Sequence, residues 1–332
     1  MKALKKIHSM VLVTGATGFL GSELVRQLLL KGEKVRALKR DSSIIPDILK
    51  NEPSIEWMNA DLLDYYSLDE AMSGIKKVYH CAAFVSFASR DKKQMMKVNI
   101  EGTSNLLNAS VANNVEKFLH VSSVAAVGNS KHGALITEKD HWEYGTGQSS
   151  YSVSKYESEM EVFRASAEGL NTVIVNPSII IGKNAGTSGS GQIFHTIQKG
   201  LSYYPGGSFG YVDVSDVASA MISLMDSDIT DERFIISAEN WTYRDLFTEI
   251  AKSYNKKPPA IALQPWMLNA ARLGKGIISA LTGTGNSLSK DTVRTAFKKQ
   301  NYSNEKIKKA LNLEFRSVKD SIAEICQNYD KI

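Results

Sequence analysis

The sequence predicts an α/β fold: a doubly wound parallel sheet that carries a smaller, mostly helical C-terminal lobe. Three observations predict it. From Met10 to about Asn176, short apolar runs alternate with longer segments of helical periodicity, the pattern of parallel strands joined by crossover helices. A glycine-rich turn, Thr14-Gly15-Ala16-Thr17-Gly18-Phe19-Leu20-Gly21, falls between the first apolar run and the first helix. Tyr151 and Lys155 stand four residues apart in a helical segment, so they share a face.

The first strand is expected over Met10 to Thr14 and the first helix over Phe19 to Lys31. In the turn between them, Gly15 permits a sharp reversal, Gly18 lets the backbone approach a pyrophosphate, and Gly21 lets helix and strand pack closely. Helix N-terminal amides would then face the phosphates. The spacing is Gly-x-x-Gly-x-x-Gly and not the Gly-x-Gly-x-x-Gly dinucleotide fingerprint, so a plain strand-helix turn stays open as an alternative. The second strand, Lys34 to Leu38, runs into Lys39-Arg40-Asp41. An arginine there pairs with the 2′-phosphate of NADP, whereas an acid accepts from the ribose of NAD. Lys39 and Arg40 therefore predict NADP, and Asp41 keeps NAD as the alternative. Asp61, after a third strand at Ile55 to Asn59, is placed to accept from the adenine amino group or to sit solvated in a turn.

Further strands are expected at Lys77 to Cys81, Lys117 to Val121 and Thr172 to Val175, with a helix over Lys93 to Ala112. The Gly/Ser/Asn-rich Gly182 to Gly191 segment reads as a loop or lid, followed by a short helix ending near Lys199. Tyr211 to Val214 and Arg233 to Ile236 read as strands, and Asp213 to Met225 as a helix returning to the main body. From Trp241 onward the chain reads as mostly helical, ending in an amphipathic helix at Val318 to Tyr329. Residues 1–182, completed by about 211–237, are expected to form the dinucleotide-binding domain. Residues 183–210 and 238–332 are expected to form a substrate-binding lobe.

Composition narrows the function. A net charge of +5, from 40 basic and 35 acidic residues, is too mild to argue for nucleic acid and suits a small anionic ligand equally well. Two cysteines, Cys81 and Cys326, require no disulfide framework, and the chain is expected to be cytoplasmic. The apolar run Met10 to Val13 behind Lys2, Lys5 and Lys6 is too short for a signal peptide. Trp266 to Leu281, interrupted by Asn269, Arg272 and Lys275, reads as an amphipathic helix and not as a membrane span, with peripheral membrane contact as the alternative. No cluster of His, Cys, Asp and Glu has metal-ligand spacing, so no metal is expected. His80 and His120 read as packed core histidines; His141 and Trp142 read as surface residues in the loop before Tyr151, with substrate contact as the alternative.

The glycine turn, Ala60-Asp61-Leu62, His80-Cys81-Ala82-Ala83, Val98-Asn99-Ile100-Glu101-Gly102-Thr103, Val121-Ser122-Ser123, Tyr151-Ser152-Val153-Ser154-Lys155, Asn176-Pro177-Ser178 and Tyr211-Val212-Asp213-Val214 occur in this order along nearly the whole chain. In these motifs the chain resembles the extended short-chain dehydrogenase/reductase family, of Rossmann-type fold. Within it, the chain is similar to the branch of dihydroflavonol 4-reductase-like and 3β-hydroxysteroid dehydrogenase-like enzymes and nucleotide-sugar epimerases. The resemblance implies that Tyr151 exchanges a proton with the substrate oxygen, and that Lys155 lowers its pKa and holds the nicotinamide ribose. Ser123, five residues before Gly128, would hydrogen-bond the same oxygen, with Ser122 as the fallback. Asn99 would bend its helix and support a water chain to the lysine, or else only pack. Gly15, Thr17, Gly18, Phe19, Leu20, Arg40, Asp61, Leu62, Ala82, Ala83, Tyr151, Lys155, Pro177 and Ile180 would meet the cofactor. Relatives are often dimers through the helices carrying Asn99 and Tyr151, so a homodimer is an expectation.

Three reactions remain in play. The first is NADP-dependent reduction of a ketone or aldehyde, or the reverse oxidation. The second is epimerisation or dehydration of a nucleotide sugar with retained NAD. The third is a non-catalytic NADP-binding sensor. Retention of both Tyr151 and Lys155 disfavours the sensor. The segment Pro205 to Gly210 lacks the arginine that epimerases resemble one another in placing before Tyr-Val, and Phe84 and Phe87 suit an apolar carbonyl. Arg244 and Arg272 keep a diphosphate-binding alternative open.

Overall fold

The computed structural model describes residues 10–86, 88–130, 133–145, 148–187, 189–264, 267 and 296–329. Seven parallel strands form the main sheet: β1 (Val11–Thr14), β2 (Val35–Lys39), β3 (Ile55–Asn59), β4 (Lys77–His80), β5 (Lys117–Val121), β6 (Thr172–Pro177) and β10 (Glu232–Ile236). Their spatial order is β10-β6-β5-β4-β1-β2-β3, so the winding reverses between β1 and β4. In open α/β sheets that switch point is where ligands bind, at the carboxyl ends of the strands.

Strand β1 shows why the sheet is buried on both sides. Val11 and Val13 pack toward α1 (Phe19–Leu30) and α7 (Val214–Asp226), while Leu12 packs into the opposite layer with α4 (Gly102–Ala112) and α5 (Ser150–Ala167). A strand covered on two faces needs apolar residues at every position and cannot alternate. Helix starts are fixed locally: Ser149 Oγ accepts from the Ser152 amide at α5, and Asp213 Oδ1 accepts from the Ser215 amide at α7. By contrast, Gly18 leaves α1 with no side-chain cap.

A second sheet, β11-β9-β7, joins Glu239–Thr242, Ser208–Asp213 and Ile179–Ile181. A two-stranded pair joins β8 (Tyr203–Tyr204) to β12 (Ile261–Ala262). The helices α6 (Gly191–Gln198), α8 (Tyr243–Ser253) and α10 (Val318–Tyr329) meet in a separate core around Phe194, Phe247 and Ile322. Ile307 of α9 (Glu305–Leu311) instead joins the core of the main sheet. The region after Gly182 thus contains short strands as well as the helices expected there, because Tyr203, Tyr204 and Trp241 supply aromatic strand formers.

The helix expected over Lys93 to Ala112 is three pieces: α3 (Lys92–Met96), a π turn at Lys97–Glu101, and α4. Apart from Met267, the expected helix at Trp266 to Leu281 lies outside the described residues, as do Phe87 and Arg272. Among the described residues, no helix is long and apolar enough to cross a membrane, and no three His, Cys, Asp or Glu side chains group as metal ligands.

Candidate active site

The glycine turn lies against the end of β4. Gly15 adopts φ +66, and a Cβ on it would come within 2.7 Å of the Ala82 nitrogen. At Gly21 a Cβ would meet the Gly15 carbonyl oxygen at 2.1 Å. The turn therefore excludes side chains at two of its three glycines, for a close backbone approach and for helix packing respectively. Beside it opens a cleft of about 320 Å³, lined by Thr14, Gly15, Thr17, Gly18, Arg40, Ser43, Asp61, Leu62, Ala82, Ala83 and Phe84 among others. With α1 uncapped at Gly18, the first amides of that helix are available to an anion.

The charges at the rim are not equivalent. Lys39 lines the cleft, and its Nζ donates to Asn59 Oδ1 at 2.6 Å. The Arg40 amide donates to Ser43 Oγ at 3.2 Å, which sets the hydroxyl and the arginine on one turn. Asp61 Oδ1 accepts from the Leu63 amide at 2.9 Å, making it a turn residue on the cleft wall. Phe19 and Leu20 open α1; Pro177 ends β6 and Ile180 lies in β7, all outside the lining of this cleft.

Ser123, Tyr151 and Lys155 come together on the neighbouring strand end. Ser123 follows β5, and its hydroxyl is near enough to the Tyr151 phenol to favour the ionised form, while Lys155 Nζ donates to the Val121 carbonyl at 2.9 Å. Burial lowers the Lys155 ammonium to about 8, and the Glu159 carboxylate acts in the opposite direction. The expectation that Lys155 lowers the Tyr151 pKa is corrected here. Burial raises the phenol above its ordinary value and the Ser123 hydroxyl only partly offsets this. Cys81 joins this group to the cleft: it lines the cleft and feels the Lys155 charge.

Asn99 sits in the π turn and is 3 % exposed. Its Oδ1 accepts from the Phe84 amide at 2.7 Å, and its Nδ2 donates to the Phe84 carbonyl at 3.0 Å and to Ser154 Oγ at 3.0 Å. The side chain thus ties the cleft wall at Phe84 to α5, one residue from Lys155.

A second chain runs beneath the glycine turn. The Ala82 amide donates to Thr14 Oγ1, whose proton goes to His80 Nδ1 at 2.7 Å. His80 Nε2 in turn meets Thr103 Oγ1 at 3.0 Å, and Thr103 donates to the Asn99 carbonyl at 2.6 Å. Each threonine has one proton to give, so the chain assigns the histidine proton to Nε2. A neutral ring fits its surroundings: burial, then Lys155, lower His80 to about 3.

Two features escaped the sequence reading. Trp142 is buried, not on the surface: its indole stacks on Tyr156 at 4.2 Å and its Nε1 donates to Ser152 Oγ at 2.9 Å. Ser152 Oγ passes its proton to the Ala125 carbonyl at 2.6 Å, so the loop clamps the start of α5 to the segment after Ser123. Glu159, one turn beyond Lys155, is wholly buried; only its position four residues on from the lysine could have signalled it.

Comparison with known proteins gives the family and the fold. The model of the NAD dependent epimerase/dehydratase family matches residues 11–236. The chain is 33% identical over 271 residues to sterol demethylase protein B of Methylococcus capsulatus, covering 80% of each chain. It is 30% identical over 268 residues to cinnamoyl-CoA reductase 1 of Petunia hybrida, covering 75% of this chain and 78% of the relative. Among solved structures, that of gox2253 superposes with a TM-score of 0.83 at 30% identity, over 97% of this chain and 98% of that one. A UDP-glucose 4-epimerase of Thermotoga maritima superposes with a TM-score of 0.80 at 22% identity, over 97% of this chain and 99% of that one, a likeness of fold.

Proposed function

Because the chain belongs to the NAD dependent epimerase/dehydratase family, whose members of this extended short-chain dehydrogenase/reductase type are NAD(P)-dependent enzymes, we propose that it reduces a ketone or aldehyde with NADPH, or oxidises the matching alcohol. The observation that carries this reading is the Ser123 hydroxyl and the Tyr151 phenol standing together beside the buried Lys155 ammonium. Two hydroxyls converge where one substrate oxygen can meet both.

The residues fit the cofactor. The Gly15 turn and the uncapped start of α1 suit a pyrophosphate, and Arg40 with Ser43 suits a 2′-phosphate. When bound, the nicotinamide supplies or accepts the hydride. In the reductive direction the Tyr151 phenol, kept protonated by its raised pKa, donates its proton to the oxygen as negative charge develops there. Ser123 Oγ steadies the same oxygen by hydrogen bonding. Lys155 supplies positive charge at this site and would hold the ribose hydroxyls of the bound cofactor, and Asn99 holds the wall at Phe84. The half-buried Phe84 on the cleft favours an apolar carbonyl compound over a polyhydroxylated sugar. Cinnamoyl-CoA reductase and dihydroflavonol 4-reductase among the relatives support the reductase reading.

The test is a panel of apolar aldehydes and ketones with NADPH, comparing the wild-type protein with Tyr151→Phe. The variant should bind NADPH as the parent does and lose turnover by about 10²-fold or more, the usual contribution of a proton donor. Retained turnover in Tyr151→Phe removes this tyrosine from its proposed role.

A further inference from the structure

Behind the Ser123–Tyr151–Lys155 group lies a carboxylate that the proposed chemistry does not use. Glu159 follows Lys155 by one turn of α5, which places the two side chains on one helix face. Glu159 is 0% exposed and Lys155 3%. The carboxylate is held on both oxygens: Asn176 Nδ2 donates to Oε1 at 2.5 Å, and Arg233 Nη1 lies 3.5 Å from Oε2. Asn176 uses its amide nitrogen a second time, donating to the Ser123 carbonyl at 2.9 Å. Arg233 is itself fixed, since its Nη2 donates to the Glu138 carbonyl at 2.6 Å. One buried carboxylate thus connects α5, β6 and β10 to the backbone of Ser123.

A buried carboxylate is expensive unless paired and hydrogen-bonded. A surface-facing structural ion pair would not require this position, and replacement by an apolar side chain would avoid the desolvation. The surrounding charges point to a specific use. Of the titratable groups that face Lys155, His80 and Cys81 come from the end of β4, His120 from β5, and Tyr151 and Glu159 from α5 itself. Burial keeps both imidazoles and the Cys81 thiol neutral near pH 7, and Tyr151 neutral as well. Burial pushes the Glu159 carboxyl up, while the Asn176 hydrogen bond and the Arg233 and Lys155 charges favour its ionised form; with it ionised, the formal charges of this interior are the Lys155 ammonium, the Glu159 carboxylate and the Arg233 guanidinium.

We propose that Glu159 is a positioning residue, the buried counter-charge that holds the proton on Lys155, while its hydrogen bond to Asn176 ties the Ser123 backbone to the helix carrying Tyr151. The inference rests on the reading of Lys155 as the charged member of the site, but its test needs no substrate. Burial works against the ammonium and Glu159 is the largest influence opposing burial. Removing the carboxylate's charge therefore makes Lys155 give up its proton at lower pH.

The experiment is a pH titration of protein labelled with ¹³C at lysine Cε, followed by NMR, with the Lys155 resonance identified by its absence in Lys155→Met. In Glu159→Gln, which retains an oxygen for Asn176, the Lys155 midpoint should fall by about tenfold or more in ionisation constant. Glu159→Asp should recover most of that fall. If Glu159→Gln does not fold, the double variant Glu159→Gln/Arg233→Met, which leaves no unpaired guanidinium, should show a smaller fall of the same sign, because the guanidinium that repels the ammonium is removed with the carboxylate. An unchanged Lys155 midpoint in a folded variant overturns the proposal. Loss of turnover in Tyr151→Phe is read separately, so failure of the reductase reading and failure of the counter-charge are distinguishable.

Discussion

Replacing Lys155 by Met should change how the stability of this protein depends on pH. The ammonium is buried, and its pKa falls from an ordinary 10.5 to about 8. Between these values the unfolded chain holds a proton that the folded chain has released, so wild-type stability rises with pH across that window. Below about 8 both states are protonated and the full cost of burying the charge is present. The difference between about 8 and 10.5 is worth about 3 kcal/mol when the whole window is crossed. Most of it falls between pH 7 and pH 10. Met keeps the length and apolar stem of the side chain and removes the titration. The Val121 carbonyl loses its donor in Lys155→Met, but that penalty is the same at both pH values. Urea unfolding of wild type and variant, followed by tryptophan fluorescence at pH 7 and pH 10, isolates the lysine because other titrations cancel in the difference. The wild type should gain about 2–3 kcal/mol on the variant over this interval. A gap between the two proteins that stays constant from pH 7 to pH 10 would refute the burial of a charged lysine at this site.

Other perturbations follow from single contacts. Gly21→Ala places a Cβ 2.1 Å from the Gly15 carbonyl oxygen, so the turn and α1 must separate; a loss of about 1–3 kcal/mol in urea unfolding and weaker NADPH binding are expected. Trp142→Phe keeps the stack on Tyr156 but deletes the Nε1 hydrogen bond to Ser152, and should lower stability by about 1 kcal/mol, read from the urea midpoint. Arg40→Ala should weaken NADPH by about tenfold or more, while NADH changes little, in a fluorescence titration of both cofactors. An equal loss for both would exclude a 2′-phosphate contact by Arg40.

The main sheet was legible because its inner strands β1, β5 and β6 are buried throughout and the outer ones still read as short, mainly apolar runs between helical segments. Ile55–Asn59 and Lys117–Val121 coincide with the expected strands, and the others differ by one to two residues at an end. The short strands Ile179–Ile181, Tyr203–Tyr204 and Glu239–Thr242 left little trace, since two to four residues give no periodicity to read. The π turn at Lys97–Glu101 was hidden for a related reason: one extra residue in a helix barely disturbs its apolar pattern. At the site, residue types and spacing brought Ser123, Tyr151 and Lys155 to one place, but spacing carries no information on burial. Burial therefore raises the Tyr151 phenol instead of lowering it. Trp142, Glu159 and Asn176 act through partners that are remote in sequence or hidden within one helix face, and only the packed structure assembles them.

The central claim is a reductase that binds NADPH as a released co-substrate. Mass spectrometry of the denatured, freshly purified protein, paired with NADPH and NADH titration of the protein as isolated, tests it most directly. The account predicts a protein that carries no tightly held nucleotide and binds NADPH at least tenfold more tightly than NADH, about 1.4 kcal/mol. Tightly retained NAD would contradict it and turn the search toward nucleotide sugars.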